Sequence, residues 1–251
     1  MRVLSQNCQD LKRPLTVHNL KGMYQSHSSD IVFICETKNQ SHLVKCKLQS
    51  CHFTDWRIVT DIAGELALAW KEGTAVEVEI LVEKEFFIVV KVTDRALNCS
   101  WRLIGVYLNS LDGIRSIQYT EFFSLVQYFL GKVVIIGIFN AIVSLNEKEG
   151  GGLKSASSIS EIVNFIDDDG LKNLGMIGRR FTWTNKQRGQ DQIREQFDCA
   201  LTNGKWMDHF LSALLSRLVE NGSDHALILL NTNSIIENLN GGLSFRRGGV
   251  V

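Results

Sequence analysis

Apolar residues fall along this chain in short runs whose period switches between two and about 3.6. Arg2 to Gln6 reads as a short strand, and Val17 to Tyr24 as a helix that follows the only proline, Pro14, with Thr16 as its N-cap. Ile31-Val32-Phe33-Ile34-Cys35 reads as a buried strand ending on Glu36, which delivers a carboxylate to a strand's C-terminal edge. Four more strands are predicted at short intervals: Leu66 to Trp70, Val76 to Val82, Phe86 to Val92 and Trp101 to Tyr107, with the turn-prone Gly73 and Asn98 in the gaps. Such dense short strands imply largely antiparallel sheet.

Ile114 to Leu130 carries apolar residues at 114, 117, 122, 125, 126 and 129, one face of a helix that Gly131 ends. Lys132 to Phe139 returns to strand. Leu145 to Ser158, rich in Gly, Ser, Lys and Glu, has the composition of an exposed, mobile loop. A helix near Ile159 to Ile166 is followed by strands over Arg180 to Thr184, Phe197 to Leu201, Leu214 to Val219 and Ala226 to Leu230. More strands than helices, joined by short connections, predict an α+β sandwich of two sheets packed face to face with helices outside. Residues 1–232 are expected to form this domain and 233–251, rich in Asn and Gly, a disordered tail.

Composition agrees: 251 residues, 45% hydrophobic and 22% charged, suffice to bury the core of one large domain. No run approaches the roughly 20 apolar residues of a membrane helix, and the start of the chain lacks the apolar core of a signal peptide. An intracellular protein with no membrane partner is therefore expected. Six scattered cysteines read as reduced thiols. His42, Cys46, Cys51 and His52 offer donors of the right kind for zinc, but at spacings that match no paired ligand arrangement, so coincidence is the favoured reading. Lys plus Arg equals Asp plus Glu at 27 each, so binding to a polyanion must depend on local patches rather than on a long-range field.

Six segments occur in a telling order: Ser5-Gln6-Asn7-Cys8, Ile34-Cys35-Glu36-Thr37-Lys38, Gly105-Val106-Tyr107, Gly137-Ile138-Phe139-Asn140, Phe197-Asp198 and Ser223-Asp224-His225. Together they resemble the endonuclease/exonuclease/phosphatase family and span most of the chain. Glu36-Thr37-Lys38, Leu66-Ala67-Leu68-Ala69-Trp70, Gly178 to Asn185 and Asp198-Cys199-Ala200-Leu201 are similar, within that family, to the endonuclease domains of plant LINE-type retrotransposons.

The resemblance implies a four-layer, DNase I-like fold and a Mg2+-dependent DNA endonuclease, with Mn2+ as a substitute ion and a nuclear location if DNA is the substrate. It implies that Glu36 is a metal ligand with Asn7 beside it, that Asp224 lies near the metal, and that Asp198 orients His225. Tyr107 and Asn140 would hydrogen-bond the scissile phosphate. The chemistry needs such groups: a hard cation held by carboxylate neutralises phosphoryl oxygens, and an imidazole held in one tautomer acts on a phosphate or a water. Arg179, Arg180, Lys186 and Arg188, interleaved with Phe181 and Trp183, are expected to contact DNA, with Trp183 itself in the core.

Taken singly, Asn7 reads as a turn cap, Glu36 and Asp198 as strand-end charges, and Tyr107 as a half-buried strand aromatic. His225 beside Asp224 reads equally well as a surface pair. Their joint order decides for a site. One departure matters most: the family has Gly-Asp-Phe-Asn where this chain has Ile138 in place of the aspartate that handles the nucleophilic water. Strand alternation puts Ile138 and Asn140 on one face, so an apolar group is expected where the cleft needs a carboxylate.

Loss of a positioned proton-transfer group costs on the order of 10²–10⁴ in rate, so hydrolysis is expected to be severely impaired, with only Glu147 or Glu149 as substitutes. Gln6, Glu65 and Gln196-Phe197 are smaller departures. The competing readings are a non-catalytic module binding nucleic acid or protein, and a phosphatase or other phosphodiesterase on the same fold. No reverse transcriptase is expected after Ser223-Asp224-His225, as in a gene remnant, and the sequence leaves the oligomeric state open.

Overall fold

The computed structural model describes residues 1–12, 14–59, 66–71, 73, 75–219 and 223–233. Glu65, and the expected tail from residue 234 onward, lie outside them. In chain order the elements begin β1 (Arg2–Asn7), α1 (Pro14–His27), β2 (Ile31–Cys35), α2 (Ser41–Ser50), β3 (Asp55–Val59), β4 (Leu66–Trp70), β5 (Val76–Lys84), β6 (Phe87–Asp94) and β7 (Cys99–Tyr107). They continue α3 (Asp112–Gln127), β8 (Val133–Ile138), β9 (Lys148–Glu149), α4 (Ala156–Asp168), β10 (Leu171–Asn173), β11 (Met176–Ile177) and β12 (Trp183–Thr184). The last are β13 (Arg194–Glu195), β14 (Asp198–Asn203), α5 (Gly204–His209), β15 (Leu214–Arg217) and β16 (Ile228–Asn231).

Two large sheets result, one in the order β11-β15-β16-β1-β2-β4-β3 and the other β10-β14-β8-β7-β6-β5. Most neighbours are antiparallel, as strand density predicted; β1–β2, β7–β8 and β11–β15 are parallel. Alternation along the strands sorts side chains into three cores. Val3, Ile31, Phe33, Ile136 and Ile138 face inward between the sheets. Leu4, Val32 and Ile34 face outward onto Leu20 and Tyr24 of α1 and Val44 and Leu48 of α2. On the far side Ile104, Val106 and Ile135 meet Phe122 of α3 and Phe165 of α4. This is the expected helix–sheet–sheet–helix sandwich, with β2 apolar throughout because both its faces are covered.

Several local expectations change. Helix α1 begins at Pro14, so Thr16 lies inside the first turn rather than at the N-cap. Helix α3 buries Arg115, while Ile114 and Ile117 stay exposed. The Arg115 guanidinium donates to the carbonyls of Asn109 and Ser110 and to Ser158 Oγ, and pairs with Asp112, tying the loop after β7 to α4. Leu145 to Ser158 is not one open loop. Its Lys148–Glu149 strand pairs with β13, Lys148 binds Glu195 at 2.6 Å, and α4 begins at Ala156. The strand expected over Arg180 to Thr184 shrinks to Trp183–Thr184. The zinc candidates do not converge: Cys51 is buried under α1 and α2, His42, Cys46 and His52 are exposed, and no cluster of three or more His, Cys, Asp or Glu side chains that could hold a metal occurs among the described residues.

The end of α4 carries a local liability. Asp169 caps its C-terminus, where the helix dipole disfavours negative charge, and both its carboxylate oxygens are buried without a hydrogen-bond partner. Burial, then the neighbouring Asp168, push its pKa up to about 6. A carboxyl with a raised folded-state pKa destabilises the fold as pH climbs from the unfolded value through the folded one, and fully above both. Asp169→Asn should therefore add about 0.3–1 kcal/mol near pH 8 and nothing near pH 3 in paired denaturation curves.

Candidate active site

Strands β1 and β2 run parallel in the middle of the seven-stranded sheet and finish level, with Asn7 beside Cys35. The next residue, Glu36, turns into the left-handed region at φ 52°. Its Oε1 accepts hydrogen bonds from Asn7 Nδ2 at 2.7 Å and from the Tyr107 hydroxyl at 2.8 Å, and its Oε2 lies 3.2 Å from Lys38 Nζ. Tyr107 belongs to β7 in the other sheet, so Glu36 joins the two sheets at one end of the sandwich. Burial works against the ionised carboxyl, but the bonds from Asn7, Tyr107 and Lys38 outweigh it and hold the pKa below the ordinary glutamate value. Burial and the Glu36 charge push the Tyr107 hydroxyl the other way, well above its usual range. At neutral pH the pair is a carboxylate and a neutral phenol.

In the six-stranded sheet, Tyr107 of β7 pairs with Ile138 of β8, which pairs with Asp198 of β14. Residues directly opposite on neighbouring strands share a face, so these three side chains form one row toward the seven-stranded sheet. Asp198 is fixed from behind: Thr182 Oγ1 accepts the N–H groups of both Phe197 and Asp198 at 3.0 Å. Its Oδ2 lies 2.9 Å from His225 Nδ1, with both side chains buried. His225 is held by its own N–H to Ser223 Oγ, and Ala226 N–H binds Thr182 O. Burial disfavours imidazolium here, yet the Asp198 carboxylate outweighs it and raises the His225 pKa. Asp224 Oδ2 accepts the Trp183 indole N–H at 3.0 Å.

Ile138 closes the middle of the row. It is wholly buried in the inner core, flanked by a phenol and a carboxylate. The sequence pattern predicts that strand alternation links Ile138 to Asn140, but β8 ends at Ile138, and Asn140 lies beyond it with φ 50°. The row itself gives Ile138 its orientation. Asn140 is buried and donates from Nδ2 to Leu108 O at 2.6 Å, bracing the loop after Tyr107. Neither loop glutamate enters the row beside Ile138. Glu147 accepts Val143 N–H and lies near Cys199, on the helix side of the sheet; Glu149 pairs with Arg194 at 2.6 Å.

The structure thus brings together Asn7, Glu36, Tyr107, Ile138, Asp198, Asp224 and His225 from segments scattered over the chain. Arg179, Arg180, Lys186 and Arg188 are not among them; they are exposed on the segment leading into and out of β12. Trp183 both packs against the core, as expected, and reaches Asp224 through its N–H. Lys38, Thr182 and the Trp183 contact were missed. Only Lys38 carried a signal, its place two residues after Glu36.

No protein-family model and no curated protein matches the sequence. Solved structures do. The endonuclease domain of TRAS1, a telomere-specific non-LTR retrotransposon, is similar with a TM-score of 0.66 at 16% identity, over 92% of this chain and 97% of that one. An AP endonuclease from Archaeoglobus fulgidus gives 0.68 at 10% identity, over 92% and 98%. TDP2 from D. rerio, complexed with a single-strand DNA product, gives 0.63 at 14%, over 92% and 97%. The fold is the DNase I-like sandwich of endonuclease/exonuclease/phosphatase proteins.

Proposed function

We propose that this cluster is the phosphodiesterase site of a metal-dependent DNA endonuclease domain, derived from a LINE-type retroelement and disarmed at Ile138. The observation that carries the reading is the Tyr107–Ile138–Asp198 row, which faces the Glu36–Asn7 pair and adjoins a buried Asp198–His225 pair. Likeness to the TRAS1 endonuclease domain supports the retroelement origin, and the DNA product held by D. rerio TDP2 supports nucleic acid as substrate. A DNA substrate implies work in the nucleus.

The donor set suits a hard divalent cation. Glu36 stays ionised at neutral pH, with the Asn7 amide beside it and Asp224 as a second carboxylate. Mg2+ is commonly held through one or two carboxylates with water filling the rest of its shell, and Mn2+ takes the same oxygen donors. When bound, such an ion would offset charge on the phosphoryl oxygens. Glu36→Gln should then abolish the Mn2+-induced broadening of nearby side-chain NMR signals that the natural chain shows; equal broadening in both would remove Glu36 as ligand.

The remaining roles belong to side chains. Asn7 and Asn140 each keep a second amide hydrogen for a phosphate oxygen, whereas Tyr107 would donate its one hydroxyl proton to phosphate only by releasing Glu36. Asp198 fixes the His225 tautomer with the proton on Nδ1 and favours the imidazolium, which leaves Nε2 for the substrate. A proton acceptor for the attacking water is missing, because the Ile138 side chain has no lone pair to offer. The substrate would be held but the water not activated, and this favours a binding module as the second reading.

Nicking of supercoiled plasmid with Mg2+ separates the two. Cleavage by Ile138→Asp alone supports an intact but disarmed nuclease. Cleavage by neither protein, with DNA still bound, favours the module.

A further inference from the structure

Trp183, whose indole N–H binds Asp224, also lines a small hollow of about 170 Å3 whose charged lining is all arginine: Arg179, Arg194 and Arg217, with Phe181, Thr184 and Gln192 completing the walls. It continues into a wider hollow of about 620 Å3 that shares Arg179 and Arg217 and adds His27, Met23 and Leu218. Neither lining includes an aspartate or glutamate.

The arginines are arranged rather than merely present. Arg217 Nε donates to Phe181 O at 2.7 Å, which pins the guanidinium to the backbone. The Phe181 ring lies against two more guanidinium groups, Arg180 at 4.5 Å and Arg194 at 5.3 Å from its centroid, and Arg194 is also held by Glu149. Arg179 has no ion pair or hydrogen bond among the described residues. Residues 178–194 carry Arg179, Arg180, Lys186, Arg188 and Arg194 against a single acid, Asp191. In a chain of net charge zero this concentrates positive charge on one side of the site. At the β5 edge, by contrast, the exposed Glu77, Glu79 and Glu83 are each paired with a cation, Arg95, Lys91 and Arg57.

We propose that this arginine hollow is a subsite for a backbone phosphodiester of a nucleic-acid strand that runs past the Asp224–His225 end of the cleft. It rests on the nuclease reading of the adjacent cluster and sharpens it. Planar guanidinium forks match phosphate oxygens, and three of them set apart from the candidate site favour a polymer of phosphodiesters over a small phosphate ester. Arg194 and Arg217 thus join the exposed basic residues as strand contacts, with the pinned Arg217 setting the register.

The test is equilibrium binding of the full chain to a labelled duplex DNA in EDTA, so that no hydrolysis intervenes, across a series of salt concentrations. Arg179→Gln and Arg194→Gln should each lower the slope of log K against log salt by about 1. Arg179→Lys, which keeps the charge, should preserve the slope, and Arg95→Gln at the β5 edge should leave it unchanged. A slope unaltered by Arg179→Gln, or a natural chain that binds no DNA at low salt, would overturn the subsite. These readouts are independent of nicking, so an inactive Ile138→Asp variant with the slope loss intact would sink the nuclease reading and leave the subsite standing.

Discussion

Ile138→Asp is expected to raise Mg2+-dependent plasmid nicking by about 10²–10⁴-fold over the natural chain, the range that a positioned proton-transfer group contributes. Few surroundings would need to change. Asp198 is already fixed by Thr182 and bonded to His225, and Tyr107 and Asn7 already converge on Glu36. The new carboxylate would enter the row between Tyr107 and Asp198, the one position in it with no polar atom. The substitution also has a cost. Ile138 is fully buried, so the variant places a charge in an apolar setting opposite another carboxylate and should lose about 2–4 kcal/mol of stability without metal. Mg2+ should restore part of that loss. Ile138→Asn separates the two effects: nearly isosteric with aspartate, it carries a comparable burial cost but no base, and should be destabilised and inactive. Equal nicking by the natural chain and Ile138→Asp would remove Ile138 as the cause of impairment.

What the sequence disclosed followed from how local its signals were. β2 and β8 are legible because a strand covered on both faces must be apolar at every position, and Ile31–Cys35 and Val133–Ile136 are. Helix α2 was invisible because it buries only Val44 and Leu48, one turn apart, too little to show a period. In α3 the periodicity misled, since Arg115 takes a buried position that an apolar residue would mark, while Ile114 and Ile117 face solvent. The candidate site was legible as ordered short motifs, four at the ends of strands and two, Phe197-Asp198 and Ser223-Asp224-His225, leading into the next one. Its supports were not: Thr182 and Trp183 reach Asp198 and Asp224 only through the folded chain, and Arg217 reaches Phe181 from 36 positions away. Strand alternation says nothing of Asn140, because β8 ends two residues before it, and its amide braces Leu108 instead.

Gly105→Ala should be among the most disruptive single-methyl changes available to this protein. Gly105 lies in β7 on the inner face, and the Phe33 ring of β2 fills the space where its side chain would stand; an added Cβ would overlap Cδ2 and lie 2.6 Å from Cε2. Neither partner has an easy retreat, since Phe33 is fully buried between the sheets and Gly105 is hydrogen-bonded into the middle of its own sheet. Overpacking a close-packed core typically costs about 1–3 kcal/mol, and overlap with a ring flanked by strands on both sides argues for the upper end. The consequence reaches the site, because the same two strands carry Tyr107 and Glu36 a few residues further on. Sheets forced apart at Gly105 should break the Tyr107–Glu36 hydrogen bond, which would appear as a shifted Tyr107 ring resonance alongside the lower midpoint of denaturation. Phe33→Leu in the same chain should recover part of the loss, with a coupling energy of about 1 kcal/mol or more between the two positions. Additive effects, or a Gly105→Ala protein as stable as the natural chain, would show that the sheets do not meet through this contact, and that the spacing of Glu36 from Tyr107 is set elsewhere.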